Sequence, residues 1–481
     1  MKATSLFGGV QVVGIIITII RTKFIAVLLG PVGMGIAGLL NGTIGLIAGI
    51  ADFGLGTSAI KDVAAAYGTG NAQRVATVVK VFRRWIWITG LLGTVITLCF
   101  SPLLSQFAFG NKNYTFAFIW ISITLLLGQI SSGQNVVLRG MRKVKEMAKA
   151  SLIGSILGLF TTIPLYYFFG LKGIVPGIII ASVTSLLLTW YYAHKIKIEP
   201  VYVSKARTVA EGKDMLKMGF MLSLNGLITS GTAYLFRVYL SRTGGVDQVG
   251  LYNAGFAMIN TYVGLIFTAM SMDYYPRLSA LAHSNALCTE AINQQAEIAI
   301  LILAPIILIF LVFIHWVVVL LYSHKFTPIN DMILWAAYGM LFKASSWAIG
   351  FILLAKGASK LFFFNELFAN LYVFGFNIIG YNLDGLTGLG ISFMVGYIIY
   401  LIQVHVLSHI KYSFSFNRDF IRIFIIQFLF VSGCFIVVKL LPTHYAYGVG
   451  SILIILSGWY SYKELDKRLD LKNMLSQILH K

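Results

Sequence analysis

Apolar residues run through this chain in blocks of about twenty, broken by short polar or glycine-rich punctuation. That length matches the ~30 Å hydrocarbon core of a bilayer at ~1.5 Å per helical residue. Such windows fall near 5–29, 33–56, 79–104, 115–138, 149–169, 173–193, 217–240, 249–272, 295–322, 329–355, 360–380, 386–408, 419–441 and 446–462. The pattern predicts an all-α polytopic membrane protein with about fourteen transmembrane helices. The first window, from Ser5 to Leu29, is too long for a signal-peptide core and reads as a span.

Polar residues inside the windows share faces when each helix is projected at about 100° per residue. The first span groups Gln11 with Thr4, Thr18 and Thr22, flanked by Arg21 and Lys23; the second aligns Asn41, Gly45, Ala48 and Asp52. The fourth aligns Thr124, Ser131, Asn135 and Arg139; the seventh aligns Ser223, Ser230, Tyr234 and Arg237. The eighth aligns Asn253, Asn260, Gly264 and Ser271, and the eleventh Glu366, Asn370 and Asn377.

A single Asn or Ser stripe is ordinary helix-packing glue, worth about 0.6 kcal/mol per hydrogen bond. Charges are different, because an ion at bilayer depth costs several kcal/mol unless it faces protein or water. Arg21, Lys23, Arg237 and Lys343 lie deep, or away from the cation-rich side, and predict a water-filled, anion-receptive cavity. Gln11, Asn41, Asn135, Asn260 and Asn370 are its expected polar lining. Asp52 and Arg139 stand near cytoplasmic ends, where snorkelling or a local salt bridge competes with cargo contact. Asp52 and Glu366 are the candidates to carry a coupled proton or sodium ion, and His315 reads as a satisfied core residue.

The charge balance, 37 Lys and Arg against 17 Asp and Glu, gives a net +20. With a cytoplasmic amino terminus, 28 cations fall on that side and only Lys112, Lys172, Arg242 and Lys325 on the other. Both termini are then expected in the cytoplasm, and the basic excess is positive-inside topology, with anionic lipid headgroups as further company. No basic soluble domain exists to bind nucleic acid.

Outer loops do not exceed about fifteen residues, which argues against a sugar-polymerising enzyme. No GxxxxGK[ST], HExxH or GxSxG motif occurs, and the carboxylates are too scattered for an acid/base pair. Cys99, Cys288 and Cys434 are far apart and read as small core residues, with no disulfide or metal site implied. The sequence therefore points to transport, without enzyme chemistry or cofactor.

Gly30 to Asn41, GPVGMGIAGLLN, is echoed after the seventh span by Gly244 to Asn253, GGVDQVGLYN, with Arg21 and Arg237 standing 14 and 13 residues before Gly35 and Gly250. The offset of about 215 residues equals six spans, so orientation is preserved between repeats. The expected domains are an N-terminal lobe at 1–194, a cytoplasmic connector at 195–217 and a C-terminal lobe at 218–410. Two extra spans at 411–462 and a cytoplasmic tail at 463–481 follow.

The stretch Leu28 to Tyr67, LLGPVGMGIAGLLNGTIGLIAGIADFGLGTSAIKDVAAAY, with AFGNKNY at Ala108 to Tyr114 and VLRGMRK at Val137 to Lys143, resembles the Wzx-type polysaccharide flippases. These include O-antigen and enterobacterial-common-antigen translocases of the multidrug/oligosaccharidyl-lipid/polysaccharide exporter superfamily. The resemblance implies two six-helix lobes around a central cavity, working by alternating access in the bacterial inner membrane. It implies undecaprenyl-diphosphate-linked oligosaccharide as cargo, the lipid bilayer as surroundings, and other polysaccharide-assembly membrane proteins as partners. Arg21 and Lys23 match the family's first-span cations, whereas Arg237 and Lys343 rest on depth and lobe position. Many such flippases have twelve spans, and this chain has two more. A lipid II flippase and a multidrug efflux antiporter of the same superfamily stay open as alternatives, as does, more distantly, a membrane glycan polymerase.

Overall fold

The computed structural model describes residues 2–470, with side chains from Val13 onward apart from Thr261, Tyr262, Leu265, Ala269 and Met272. Every regular element among the described residues is helical. In order these are α1 (Lys2–Asp52), α2 (Leu55–Gly68), α3 (Ala72–Cys99), α4 (Ser101–Phe109), α5 (Thr115–Ile121), α6 (Ile123–Gly140), α7 (Val144–Phe169) and α8 (Ile174–His194). Then come α9 (Lys205–Thr243), α10 (Val246–Ala257), α11 (Gly264–Ala280), α12 (Asn285–Leu321), α13 (Asn330–Ala355), α14 (Ser359–Tyr412), α15 (Arg418–Leu440) and α16 (Thr443–Leu469). A π-helical turn, Met258–Val263, joins α10 to α11.

Eight stretches among the described residues are long and apolar enough to cross a membrane. Three of them are broken, each into two arms. In α1 the break is Gly30, whose φ of 65° is a left-handed conformation that glycine adopts without a Cβ clash, with Pro31 starting the next arm. Between α7 and α8 lies the tight turn Gly170–Gly173. In α14 the break is Asp384–Gly385, with Gly385 at φ 51°. With the more polar α9, α10 to α11, and α16, the described residues supply fourteen helical arms matching the fourteen apolar windows.

The chain divides into two compact units. Unit 1 holds Met1–Leu251 with Leu321–Lys325, and unit 2 holds Tyr252–Leu320 with Phe326–Lys481. Within unit 1, Leu55, Val63, Val78, Val81, Phe82 and Val137 form a buried core where α2, α3 and α6 meet. Val203 and Met215 join that core, because the connector is strapped to α3 by polar contacts. Lys80 Nζ donates to the Val201 carbonyl (2.5 Å), and the Arg84 guanidinium donates to the Val203 carbonyl (2.9 Å). Trp85 Nε1 donates to the Thr208 carbonyl (3.0 Å). Gly212 makes room for that indole, since a Cβ there would lie 1.7 Å from Trp85 Nε1.

In unit 2 many apolar residues of α12 and α13, among them Leu303, Leu308, Leu341 and Ile349, are fully buried. The added helices α15 and α16 dock on the same unit at two levels. At the bilayer level the Gln427 amide donates to Ser461 Oγ (2.8 Å), and Tyr338 stacks between Phe428 and Phe435 at 5.6 and 5.4 Å. At the end, Arg468 bridges Glu297 of α12 (2.7 Å) and Glu464 of α16 (2.8 Å), while the Asn417 amide donates to Glu297 (3.1 Å). Burial alone would raise the Glu464 carboxyl, but hydrogen bonds and charges from Lys467 and Arg468 outweigh it and hold it below the usual range.

Two expectations need correction. His315 is exposed and lies 3.4 Å from the Asn330 amide, next to the equally exposed Trp316 and just past the non-helical Phe313, where the last turns of α12 leave the packed face. Cys99 is exposed at the last turn of α3, whereas Cys288 and Cys434 are buried as expected.

Candidate functional site

The polar stripes of the second and fourth spans meet inside unit 1. A cavity of about 750 Å³ is lined by Arg21, Asn41, Asp52, Ser131, Asn135, Arg139 and Tyr166, with Ser132, Ser182 and Ser185 adding hydroxyls. Its depth follows from the break in α1. Arg21 is nine residues before Gly30, ~13 Å along the helix, while Asp52 is twenty-two residues after it, ~33 Å. Arg21 therefore sits in the half of the bilayer next to the Gly30 turn, and Asp52 with Arg139 at the far mouth.

Arg21 reaches past Gly158 of α7, where an added Cβ would stand 3.7 Å from its Nη1, toward the Tyr166 hydroxyl, which is its hydrogen-bond partner. Its Nε is buried without a partner, and Arg21 makes no ion pair with a carboxylate among the described residues. A guanidinium always carries its charge and offers five donors in a planar fork that matches phosphate or carboxylate oxygens. Beside a cavity lined by hydroxyls and amides, it presents donors of the kind that oxygen anions accept from.

At the mouth, Asp52 Oδ2 accepts from the Gly56 amide (3.2 Å), and Oδ1 is buried with no partner. Arg139 is exposed and donates to Met147 Sδ (3.3 Å). The serines are partly engaged with one another, Ser131 meeting Ser185 at 2.9 Å and Thr189 at 3.1 Å.

Two other predicted cations of unit 1 lie apart from this cavity. Lys23 is half-buried on α1 and Arg237 on α9, and neither is among the cavity's lining. Arg237 Nη1 would stand 3.4 Å from a Cβ at Gly42, next to the Tyr234 ring, whose hydroxyl bonds Thr43 at 2.7 Å. Arg237 Nε is buried and unpartnered. The side chain of Gln11 lies outside the described residues.

Unit 2 brings together a second group. The Lys343 amine of α13 donates to Asn260 Oδ1 at 3.0 Å, with the rings of Tyr397, Phe393 and Phe267 at 5.1, 5.5 and 6.0 Å. Glu366 is held separately: its Oε1 accepts from the Tyr400 hydroxyl (2.5 Å) and the Asn365 amide (3.2 Å). Asn370 turns its amide back to the Glu366 carbonyl (2.8 Å). No group of three or more potential metal ligands occurs among the described residues.

Sequence reasoning missed Tyr166, Ser182 and Ser185, although Ser182, Ser185 and Thr189 stand at helical spacing on one face of the sixth span. It also left Arg139 undecided, and the structure places that residue in the cavity wall.

The model of the family described as polysaccharide biosynthesis protein matches residues 24–331, more than half of the sequence and all of the unit 1 cavity except Arg21. The chain belongs to this polysaccharide biosynthesis family. It is similar to the lipid III flippase of Escherichia coli (strain K12), 23% identical over 384 residues that make up 79% of this chain and 90% of the relative. It is also similar to a provisionally named O-antigen transporter of Shigella flexneri, 25% identical over 64% of this chain and 73% of the relative. These relatives are named as a flippase and a transporter, not as enzymes.

Among solved structures, an inward-facing multidrug resistance MATE family transporter of the MOP superfamily superposes with a TM-score of 0.70 at 18% identity, covering 83% of this chain and 94% of that one. The lipid II flippase MurJ in an inward closed conformation gives 0.68 at 13% identity, covering 96% and 99%. The fold is thus that of these multi-pass transporters, and this family member has an arginine-bearing cavity inside unit 1.

Proposed function

We propose that this chain moves an undecaprenyl-diphosphate-linked oligosaccharide from the inner to the outer leaflet of the bacterial cytoplasmic membrane by alternating access, as a step in surface-polysaccharide assembly. Both termini face the cytoplasm in this reading, and the lobes at 1–194 and 218–410 flank the connector. The observation that carries it is Arg21: a guanidinium at bilayer depth, steadied by Tyr166, opening on a hydroxyl- and amide-lined cavity, with no carboxylate partner among the described residues. A diphosphate cannot enter hydrocarbon bare, and an unpaired arginine has the donors to replace its water.

Arg139 at the mouth would meet the headgroup first and Arg21 last. Lys23 and Arg237 extend the cationic character of unit 1, whereas Lys343 stands in a different, aromatic setting. An inside-negative potential assists the export of an anion, by about 4.6 kcal/mol per 100 mV for two charges crossing the full field, since each gains about 2.3. Asp52, facing the cavity, is the proposed carrier of a coupling proton or sodium ion. A multidrug antiporter for cationic compounds fits less well, since two arginines and one carboxylate line the cavity. A lipid II flippase shares the headgroup chemistry and differs in the glycan.

The test is reconstitution of the full chain in vesicles with polyprenyl-diphosphate glycans of different sugar composition. Transport of such a lipid by the parent chain, its loss in Arg21→Ala at unchanged abundance, and its dependence on membrane potential are expected. Parental rates in Arg21→Ala would overturn the role of the cavity. Cysteines placed at Lys112 and Lys325 should label from outside and those at Lys145 and Lys205 should not; the reverse pattern removes the orientation.

A further inference from the structure

The ammonium of Lys343 has a setting unlike that of Arg21. It has three donors, spends one on Asn260 Oδ1, and is surrounded by the faces of Tyr397, Phe393 and Phe267 within 6.0 Å. No carboxylate lies within ion-pair distance of it among the described residues. Phe267 and Phe393 are 6% and 8% exposed, while Asn260 is exposed, so the rings form a fixed collar and the amine stands at its opening. Asn260 itself belongs to the π-helical turn Met258–Val263, an uncommon insertion that is frequent at functional positions.

Aromatic faces carry negative electrostatic potential, which attracts the lysine and repels an anion brought between the rings. A doubly charged diphosphate is therefore a poor occupant. A pyranose is a good one: its apolar C–H face packs on a ring while a hydroxyl or acetamido oxygen accepts from the free amine donors, and the Asn260 amide has hydrogens to offer in return. We infer that the Lys343 collar seats an uncharged sugar ring of the glycan rather than the diphosphate. This deepens the flippase reading and rests on it for the identity of the cargo.

The full-length chain in lipid nanodiscs is titrated with methyl N-acetyl-β-glucosaminide, followed by saturation-transfer NMR, and with inorganic pyrophosphate, followed by calorimetry. Lys343→Met, which keeps the apolar stem, and Tyr397→Leu should each weaken glycoside binding about tenfold. Both should leave pyrophosphate binding within about twofold, and Arg21→Ala should do the opposite. Phe393→Leu serves as a second collar variant, expected to behave as Tyr397→Leu does. The seat is overturned if the parent chain binds no glycoside, if the collar variants bind it as the parent does, or if Lys343→Met loses pyrophosphate instead. Vesicle transport separates the two ideas. A chain that flips no lipid-linked glycan yet keeps glycoside binding dependent on Lys343 and Tyr397 loses the flippase reading and keeps the seat. A chain that flips normally while its collar variants bind glycoside like the parent loses only the seat.

Discussion

Gly35 and Gly250, the two glycines that the internal repeat equates, meet backbone to backbone within unit 1. A Cβ on Gly250 would stand 1.8 Å from the Pro31 carbonyl oxygen and 2.9 Å from the Gly35 amide nitrogen, and one on Gly35 would stand 1.9 Å from the Val246 carbonyl oxygen. The obstacles are main-chain atoms, which cannot rotate away as a side chain can. Gly250→Ala should therefore cost about 1–3 kcal/mol through overpacking and force α1 away from α10. Thermal unfolding of the solubilised chain measures the first effect, and reactivity of a cysteine at position 246 the second. Gly45→Ala, where nothing lies within 4 Å of the added carbon, is the control and should stay within about 0.5 kcal/mol. Equal stability of the two variants would contradict the contact.

The Arg21 seat is graded rather than all-or-none. Tyr166 steadies the guanidinium, so Tyr166→Phe should slow vesicle transport about tenfold, one hydrogen bond to a charged group of about 1.5 kcal/mol, and Arg21→Ala far more. A Tyr166→Phe defect as deep as that of Arg21→Ala would mean that the hydroxyl itself meets the cargo.

The two candidate ion carriers have different surroundings and should behave differently. Asp52 faces the cavity with one oxygen lacking a partner, whereas Glu366 Oε1 is already held by Tyr400 and Asn365. Asp52→Asn should abolish the response of transport to an imposed proton or sodium gradient. Glu366→Gln should lower stability by about 1–2 kcal/mol and keep the response. Transport assayed with and without each gradient decides, and loss of coupling only in Glu366→Gln would reverse the assignment.

Acid sensitivity is expected at the Glu464 cluster, which lies beyond the last apolar window. Its carboxyl is held below the ordinary value of 4.5, so its contribution to stability is complete above that value and is lost as pH falls through the lowered folded-state value. Thermal unfolding followed from neutral pH downward should show parental stability falling below about pH 4.5, and a shallower fall in Glu464→Gln. At neutral pH the variant should already be weaker by about 1–3 kcal/mol, because Glu464 is buried among Lys467 and Arg468. Identical acid profiles for both chains would remove this cluster from the pH response.

The fold was readable because bilayer thickness imposes one period on the whole chain, and breaks such as Gly30-Pro31 and Asp384-Gly385 announce themselves by residue type. The cavity was half readable. Asn41 with Asp52, and Ser131 with Asn135 and Arg139, are stripes on single helices, and helical geometry alone aligns them. What single-helix projection does not give is which stripes face one another. Arg21 and Lys23 are two residues apart and equally deep, yet only Arg21 lines the cavity, since ~200° of helix rotation separates them. The aromatic collar was not legible at all, because Phe267, Phe393 and Lys343 come from three distant segments and nothing in the sequence sets these two rings apart from exposed ones such as Phe116, Phe160 and Phe168.

The clasp of Arg468 on Glu297 has an evolutionary corollary. Glu297 is 4% exposed and belongs to α12, whereas its cationic partner comes from the very end of α16. A protein built on the same plan but stopping after twelve spans would strand that acid without a counterion. Shorter cousins should therefore carry a neutral residue at this place, and an acid there in an otherwise unread sequence should foretell the additional helical pair.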